Sequence, residues 1–402
     1  MTKFGYKMTE IGEIPDGWDC IKMGDPKVTE KMKAGGTPLK SVDDYYKNGT
    51  IPFVKIEDIV DSSKYLTRTI ESITDDGLNN SSTWLSPKDS ILFSMYASYG
   101  EVCINKIPVA TNQAIISIIP NKENVDVTFL YYELKNLKNS LKKFLRSTTQ
   151  KNLNAEIVKG LKIALPPLPE QQKIAEILST AYETIQKVNE EITLIENFKK
   201  GLMQTLLTKG IGHMKFKMTE IGEIPEEWGL KMIQECANVK YGRSNPKTKG
   251  TIPLIGSSGV FGTVSVPLIC TPTIVIGRKG TAGAVWDIRT PSWPSDTSFY
   301  LEYKTEISQN FLFEFMSLNK LTGKNAKTTL PSVKREEIEE FLFPFPPILE
   351  QQKIAEILST VDNKLELLRN KKTHLEKLKK GLMGDLLTGK IRVKLNTSKG
   401  EN

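Results

Sequence analysis

Residues able to do acid–base, nucleophilic or metal chemistry are few in this chain and scattered along it. Only two histidines occur, His213 and His374, and neither is expected to have a partner, whereas general acid–base catalysis needs a positioned pair. Four cysteines, Cys20, Cys103, Cys236 and Cys270, form no C-x-x-C pair, which argues against both a zinc site and a disulfide framework. No G-x-x-x-x-G-K-[ST] loop is present, so ATP hydrolysis by this chain is not expected. Ser244-Asn-Pro-Lys247 has two letters of an amino-methyltransferase Asn-Pro-Pro-aromatic motif but lacks the second proline and the aromatic, and reads as a turn. Glu133-Leu-Lys135 could decorate a nuclease site but falls in a helix among ordinary charges. The expectation is a chain with no catalytic residue and no metal ligand, not an enzyme.

Binding chemistry is better represented. Gly277-Arg-Lys-Gly-Thr281 places Arg278 and Lys279 between glycines and adds Thr281; Tyr241-Gly-Arg-Ser-Asn245 offers Arg243, Ser244 and Asn245; Gly256-Ser-Ser-Gly259 offers Ser257 and Ser258. In the first half, Met95-Tyr-Ala-Ser-Tyr99 presents Tyr96, Ser98 and Tyr99, and Arg146, Thr149, Gln150, Lys151 and Asn152 follow further on. Glycines let backbone approach a phosphate closely, and Arg, Lys, Asn, Gln, Ser and Thr suit phosphates and base edges. Any one of these loops could be ordinary solvated surface. Two sets at matching positions favour a shared binding surface.

The elements that must position these loops are disclosed by an internal repeat. Lys7-Met-Thr-Glu-Ile-Gly-Glu-Ile-Pro15 recurs letter for letter as Lys217–Pro225, each copy followed by Trp18 or Trp228. Glu170–Thr180 recurs identically as Glu350–Thr360 behind a proline pair, and Lys199–Met203 recurs as Lys379–Met383. Between these blocks the sequence diverges almost completely. One scaffold done twice, holding two dissimilar inserts, implies one shared job and two versions of another. A recent duplication without functional content would have left the inserts as similar as the blocks. A weak correspondence survives between Phe93–Val102 and Ile276–Val285, so the inserts are expected to be distant copies of one fold. Both read as mixed short strands broken by turn residues, with a sizeable helix near 129–144 in the first and a shorter one near 311–318 in the second.

The second block opens a helix, with an acidic residue in the first turn after the prolines. Ile174, Leu178, Ala181, Ile185, Val188, Ile192 and Ile195 alternate at spacings of four and three, the seam of a coiled coil; Ile354, Leu358, Val361, Leu365 and Leu368, with Leu375 seven residues further on, repeat the pattern. Lys199, Lys372 and Lys379 interrupt the seam and are expected to loosen it. Each helix should run about 40 residues, or roughly 60 Å. Short connections force the two to be antiparallel with one domain at each end, a dumbbell in which the tail after Leu387 returns to the leader. The expected organisation is leader and first domain over 1–165, helix over 166–209, linker and second domain over 210–345, helix over 346–390, and a basic tail over 391–402.

Composition agrees with a folded chain: 402 residues, 39% hydrophobic and 25% charged, with no apolar run long enough to span a membrane. Met1–Tyr6 has no apolar core for a signal peptide, and the scattered cysteines suit a reducing compartment, so a cytoplasmic location is expected. The net charge of +8 is concentrated at the end: 363–402 carries eleven Lys and Arg against four Asp and Glu, leaving about +1 elsewhere. The total therefore permits nucleic-acid binding without establishing it.

Thr-Glu-Ile-Gly-Glu-Ile-Pro-x-x-Trp, and Pro-Pro-Leu-Pro-Glu-Gln-Gln-Lys-Ile-Ala-Glu-Ile-Leu-Ser opening a long helix, closely resemble the specificity subunits of Type I restriction–modification systems. Both motifs occur twice in the expected order, and Thr149-Gln-Lys-Asn-Leu153 and Thr111-Asn-Gln-Ala114 also resemble that family's first-domain landmarks. Thr328-Thr-Leu-Pro331 replaces the Gln-Lys-Asn run in the second domain. The resemblance implies an α+β chain with two α/β target-recognition domains joined by two long antiparallel coiled-coil helices, in a pseudo-two-fold repeat. It implies that each domain reads one half of a split, asymmetric double-stranded DNA site through the major groove. It also implies helices that set the gap and dock two modification (methyltransferase) subunits, with ATP-dependent restriction subunits joining that core. No cofactor is expected on this chain; S-adenosylmethionine, ATP and magnesium belong to the partners. The competing reading is a coiled-coil scaffold whose end domains bind proteins or glycans.

Overall fold

The computed structural model describes residues 4–96, 98–147, 153–319, 321 and 332–395. The chain forms two compact units, Met1–Lys187 with Lys372–Asn402, and Val188–Lys371. The long helices are Leu168–Lys209 and Ile348–Leu386, of 42 and 39 residues, and each contributes one part to either unit.

In unit one, a five-stranded sheet is ordered Thr29–Ala34, Ile115–Pro120, Ile91–Ser94, Val102–Asn105, Tyr65–Leu66, antiparallel except at the last pair. A three-stranded sheet sets Ile51–Val54 between Ala110–Thr111 and Glu71–Ile73. The central strands Ile91–Ser94 and Val102–Asn105 are buried at every residue, so they read as apolar runs instead of alternating patterns. Helix Val127–Ser147 packs Phe129, Leu130 and Leu134 into the same core as Phe93 and Ile104. Unit two repeats the plan with a four-stranded sheet, Ala237–Tyr241, Ser298–Tyr303, Thr273–Gly277, Val285–Ile288, and a three-stranded sheet of Gly259–Val264, Ile252–Gly256 and Trp293–Pro294. Its helix is Gln309–Leu318.

Each insert is closed at its base by an antiparallel pair, Asp19–Lys22 with Lys162–Leu165 and Gly229–Met232 with Leu342–Phe345. The clamp joins the residues just after the repeated Trp to those just before the repeated prolines. Closing a longer loop costs only about 0.6 kcal/mol per doubling of length, so inserts of unequal length can sit in equivalent clamps. Helix starts are fixed the same way twice: Gln171 Nε2 donates to Pro166 O, and Gln351 Nε2 donates to Pro346 O, both at 2.8 Å.

Within each unit the long helices run antiparallel. In unit one, Ile174 and Leu178 near the start of the first helix share a core with Leu386 at the end of the second; in unit two, Leu206 and Leu207 share a core with Ile354 and Leu358. Ile174, Leu178, Ile185, Val188, Ile354, Leu358, Leu365 and Leu368 are buried, while Ile192, Ile195, Val361 and Leu375 are half-buried. A Leu or Ile so buried contributes roughly 1.5–3 kcal/mol. Lys199 does not loosen the packing as expected. Its ammonium reaches Asp362 on the second helix at 2.8 Å and Glu314 on helix Gln309–Leu318 at 3.3 Å, forming a triad. Burial raises the Glu314 pKa against the opposing pull of Lys199. Lys379 lies 5.8 Å from the centre of the Tyr182 ring. Among the described residues, no helix is long and apolar enough to cross a membrane.

Candidate nucleic-acid interface

Unit two gathers three of the segments singled out in the sequence around a fourth. Gly242 N donates to Ser298 O and Arg243 N to Pro294 O, both at 3.0 Å, which ends the strand Ala237–Tyr241 against the loop after Trp293–Pro294. Arg278 N donates to Thr297 O at 2.9 Å, and Ser257 N to Thr297 Oγ1 at 3.4 Å. Arg243, Ser244, Asn245, Ser258, Lys279 and Thr281 are exposed on this cluster, and Ser257 is half-buried. Arg278 is half-buried: its guanidinium lies over Tyr241 at 5.1 Å and Phe299 at 5.8 Å, and Nη1 donates to Asp296 O at 3.2 Å. Gly277-Arg-Lys-Gly-Thr281 therefore presents an exposed Lys279 beside an Arg278 already oriented by two rings.

Unit one has the same arrangement. Met95 N donates to Ala114 O where Arg278 N donates to Thr297 O; Gly35 N donates to Ile115 O where Gly242 N donates to Ser298 O; Leu153 N donates to Met95 O where Val333 N donates to Arg278 O. Gly35 and Gly242 hold equivalent places because a side chain at either would meet a backbone oxygen at 2.0 Å. Gly100 and Gly283, at φ 76° and 79°, turn the two loops in the left-handed region. The expected correspondence of Phe93–Val102 with Ile276–Val285 is thus a shared hydrogen-bond pattern. Tyr96 and Tyr99 are half-buried against the core, Ser98 is exposed, and Arg146 lies on helix Val127–Ser147. Thr149, Gln150, Lys151 and Asn152 lie outside the described residues, as does Thr328–Pro331.

Sequence reasoning missed the fourth segment. Ser295, Asp296 and Thr297 in unit two, and Thr37 with Gln113 in unit one, belong to these clusters; the Thr37 hydroxyl donates to Gln113 Oε1. The signal was present in Thr111-Asn-Gln-Ala114, which precedes a strand as Pro294-Ser-Asp-Thr297 does. Trp84, lying under Lys31 Nζ at 4.5 Å and Lys33 Nζ at 5.7 Å, was also missed because its cations alternate along an exposed strand.

Two sequence expectations fail. His213 does have a partner: its Nε2 is 2.8 Å from Glu350 Oε1, brought there by the left-handed turn at Gly210. Glu133 and Lys135 are not ordinary surface charges. Burial pushes the Glu133 carboxyl up to about 8 and lowers Lys135, which stacks 5.3 Å from the Tyr131 ring centre. Among the described residues no group of three or more His, Cys, Asp or Glu could hold a metal ion.

The repeated blocks have their own site, and it is structural. Trp18 Nε1 donates to Glu170 Oε2 and Trp228 Nε1 to Glu350 Oε2, each at 2.9 Å. The remaining capacity of Glu350 goes to His213 and the Ile211 amide, that of Glu170 to a bidentate Arg392 at 2.6 and 2.8 Å. Tyr6 hydroxyl donates to Gly389 O at 2.8 Å. The C-terminal tail thus does for unit one what the linker after Lys209 does for unit two.

Comparison with known proteins agrees with this two-fold plan. The family model for the Type I restriction modification DNA specificity domain matches residues 15–197 and again 216–377. A putative type I restriction enzyme MjaX specificity subunit from Methanocaldococcus jannaschii is 30% identical over 97% of both chains, and the MjaVIII specificity subunit of the same organism is 28% identical over 95% of this chain and 94% of its own. The fold is similar to that of the Type I restriction–modification S subunit from M. genitalium, with a TM-score of 0.60 at 17% identity over 96% of this chain and 99% of the other. The chain belongs to the Type I restriction modification DNA specificity family and carries that family's domain in two copies.

Proposed function

We propose that this chain is the sequence-specific DNA-binding subunit of a Type I restriction–modification complex, each unit reading one half of a bipartite, asymmetric site. The observation that carries this reading is two dissimilar loop clusters on one fold, held by scaffold blocks that are identical letter for letter. An identical scaffold suits a partner met twice; unlike loops suit unlike half-sites. Arg243, Lys279, Asn245, Ser257, Ser258, Thr281 and the ring-oriented Arg278 supply donors for phosphates and base edges in one unit. Tyr96, Ser98, Tyr99 and Arg146, with Thr149–Asn152, supply them in the other. The paired helices set the spacer and dock two methyltransferase subunits, which bring S-adenosylmethionine. Restriction subunits bring ATP chemistry, and this chain remains non-catalytic in a cytoplasmic complex.

The test is binding of the chain, alone and with its methyltransferase partner, to duplex DNA across a salt series. DNA readers lose affinity with a slope of about −0.9 per phosphate neutralised in log–log form. A flat salt response, or capture of proteins or glycans with no DNA affinity in either form, would replace this reading with the scaffold alternative.

A further inference from the structure

A cavity of about 380 Å³ lies in unit one between the leader hairpin, helix Val127–Ser147 and the tail after the second long helix. That is at the lower end of the roughly 300–1,000 Å³ typical of ligand sites. Ile11, Ile14, Leu137 and Leu387 give it apolar walls, and Glu133 lines it; the Glu133 carboxyl accepts from the backbone of Ala164, also on the wall, while its buried Oε2 has no hydrogen-bond partner among the described residues. Glu133 as a whole is 5% exposed. A buried carboxyl with one oxygen left unpartnered is costly and calls for an explanation.

The scaffold does not explain it. Asp126 and Ser308 are equivalent: the backbone amide of each donates to Gln171 or Gln351 Oε1, and each side chain accepts from the amide of Phe129 or Phe311. Counting along the helices from those caps, Glu133 corresponds to Phe315. Phe315 is 4% exposed and packs edge-on to Phe341 at 6.0 Å. The hairpin wall, by contrast, is identical in both units. One copy fills this place with a ring, and the other leaves a cavity with an acid in it.

We propose that this cavity is a binding site for an alkylammonium ion, a primary ammonium on an aliphatic stem of lysine-side-chain size, with Glu133 as its counter-ion and Ile11, Ile14 and Leu387 holding the stem. The other titratable groups facing it are Glu13 and Tyr6 on the hairpin and Lys390 on the tail. Glu13 adds negative charge, and Lys390, the one cation among the described residues lining the cavity, could supply the ammonium itself. Burial holds the empty carboxyl protonated near neutral pH, so an arriving ammonium displaces that proton into solvent.

Calorimetric titration of the full chain with n-butylammonium chloride, with n-butanol as neutral control, tests this. The expected result is saturable binding of the amine, weakened about tenfold or more in Glu133→Gln, with release of nearly one proton at pH 7 read from two buffers of different ionisation heat. Lys390→Gln separates the sources: amine binding only in that variant makes Lys390 the resident ammonium and keeps the assignment of the site. Circular dichroism of Glu133→Gln guards against loss of fold, and Glu133→Phe, which copies unit two, should remove amine binding while raising the melting temperature. No amine binding in either the parent or the Lys390→Gln chain, equal affinity for butanol, or undiminished binding by a folded Glu133→Gln chain would overturn the proposal.

Discussion

The indole N–H of Trp18 donates to Glu170 Oε2 at 2.9 Å across 152 residues of sequence, and Trp228 does the same to Glu350. Both tryptophans are fully buried. This bond joins the first repeated block to the second, which is why the two recur together. It also anchors the start of each long helix to the base of the domain that precedes it.

Glu170→Ala should therefore cost unit one about 2–4 kcal/mol, because it leaves the buried Trp18 donor and the Arg392 guanidinium without their acceptor. Denaturant unfolding followed by Trp fluorescence measures this. A loss below about 0.5 kcal/mol would mean the anchor is incidental.

Lys199→Met removes the cation that Glu314 and Asp362 share. A loss of about 1–3 kcal/mol is expected, less than for a fully buried pair because Asp362 is partly exposed. The double variant Lys199→Met, Glu314→Met should recover part of it by replacing buried charge with packing. A double-mutant cycle reads the coupling directly.

Glu133 gives unit one a pH signature. Its carboxyl titrates at about 8 in the fold against 4.5 for an unperturbed group, so the folded state binds the proton more tightly. Stability contributed this way is complete below about pH 4.5, falls as pH rises, and is gone above about pH 8. At 1.36 kcal/mol per pKa unit the span is at most about 4–5 kcal/mol. Thermal melts from pH 5 to 9 should show the decline, and Glu133→Gln should flatten it.

Arg278→Ala with Lys279→Ala should weaken or relax recognition of one half-site only, since both residues lie on unit two. Binding to DNA carrying single-base changes in either half measures this. Equal damage at both halves would make the loop scaffold instead of reader. Leu365→Lys, at a buried seam position, should abolish binding to the split site if the helices hold its spacing.

Much of the architecture was legible because it was written twice. Exact repetition marked Trp18, Glu170 and Gln171, and the heptad spacing marked Ile174 and Leu178, without any need to know their contacts. The strand Thr29–Ala34 was not legible: both faces of Thr-Glu-Lys-Met-Lys-Ala carry charge, Lys31 and Lys33 on one and Glu30 beside half-buried Met32 and Ala34 on the other. His213 could not be paired from sequence because its partner lies 137 residues away and is delivered by a turn. Lys199 looked like a defect because its neutralising carboxylates are distant in sequence: Asp362 on the other long helix, 163 residues away, and Glu314 on the domain's own helix. The loop cluster was half visible: glycines flagged Arg278 and Arg243, and Thr111-Asn-Gln-Ala114 stood out as a motif, but Thr297, which accepts from the Arg278 and Ser257 amides, has no glycine beside it to link it to those loops.

The most direct test of the central claim is methylome sequencing of the host with and without this gene. The account predicts loss of adenine methylation at one bipartite motif with unequal halves and a fixed gap. An unchanged methylome in a host whose partner methyltransferase is present and co-purifies with this chain would contradict it.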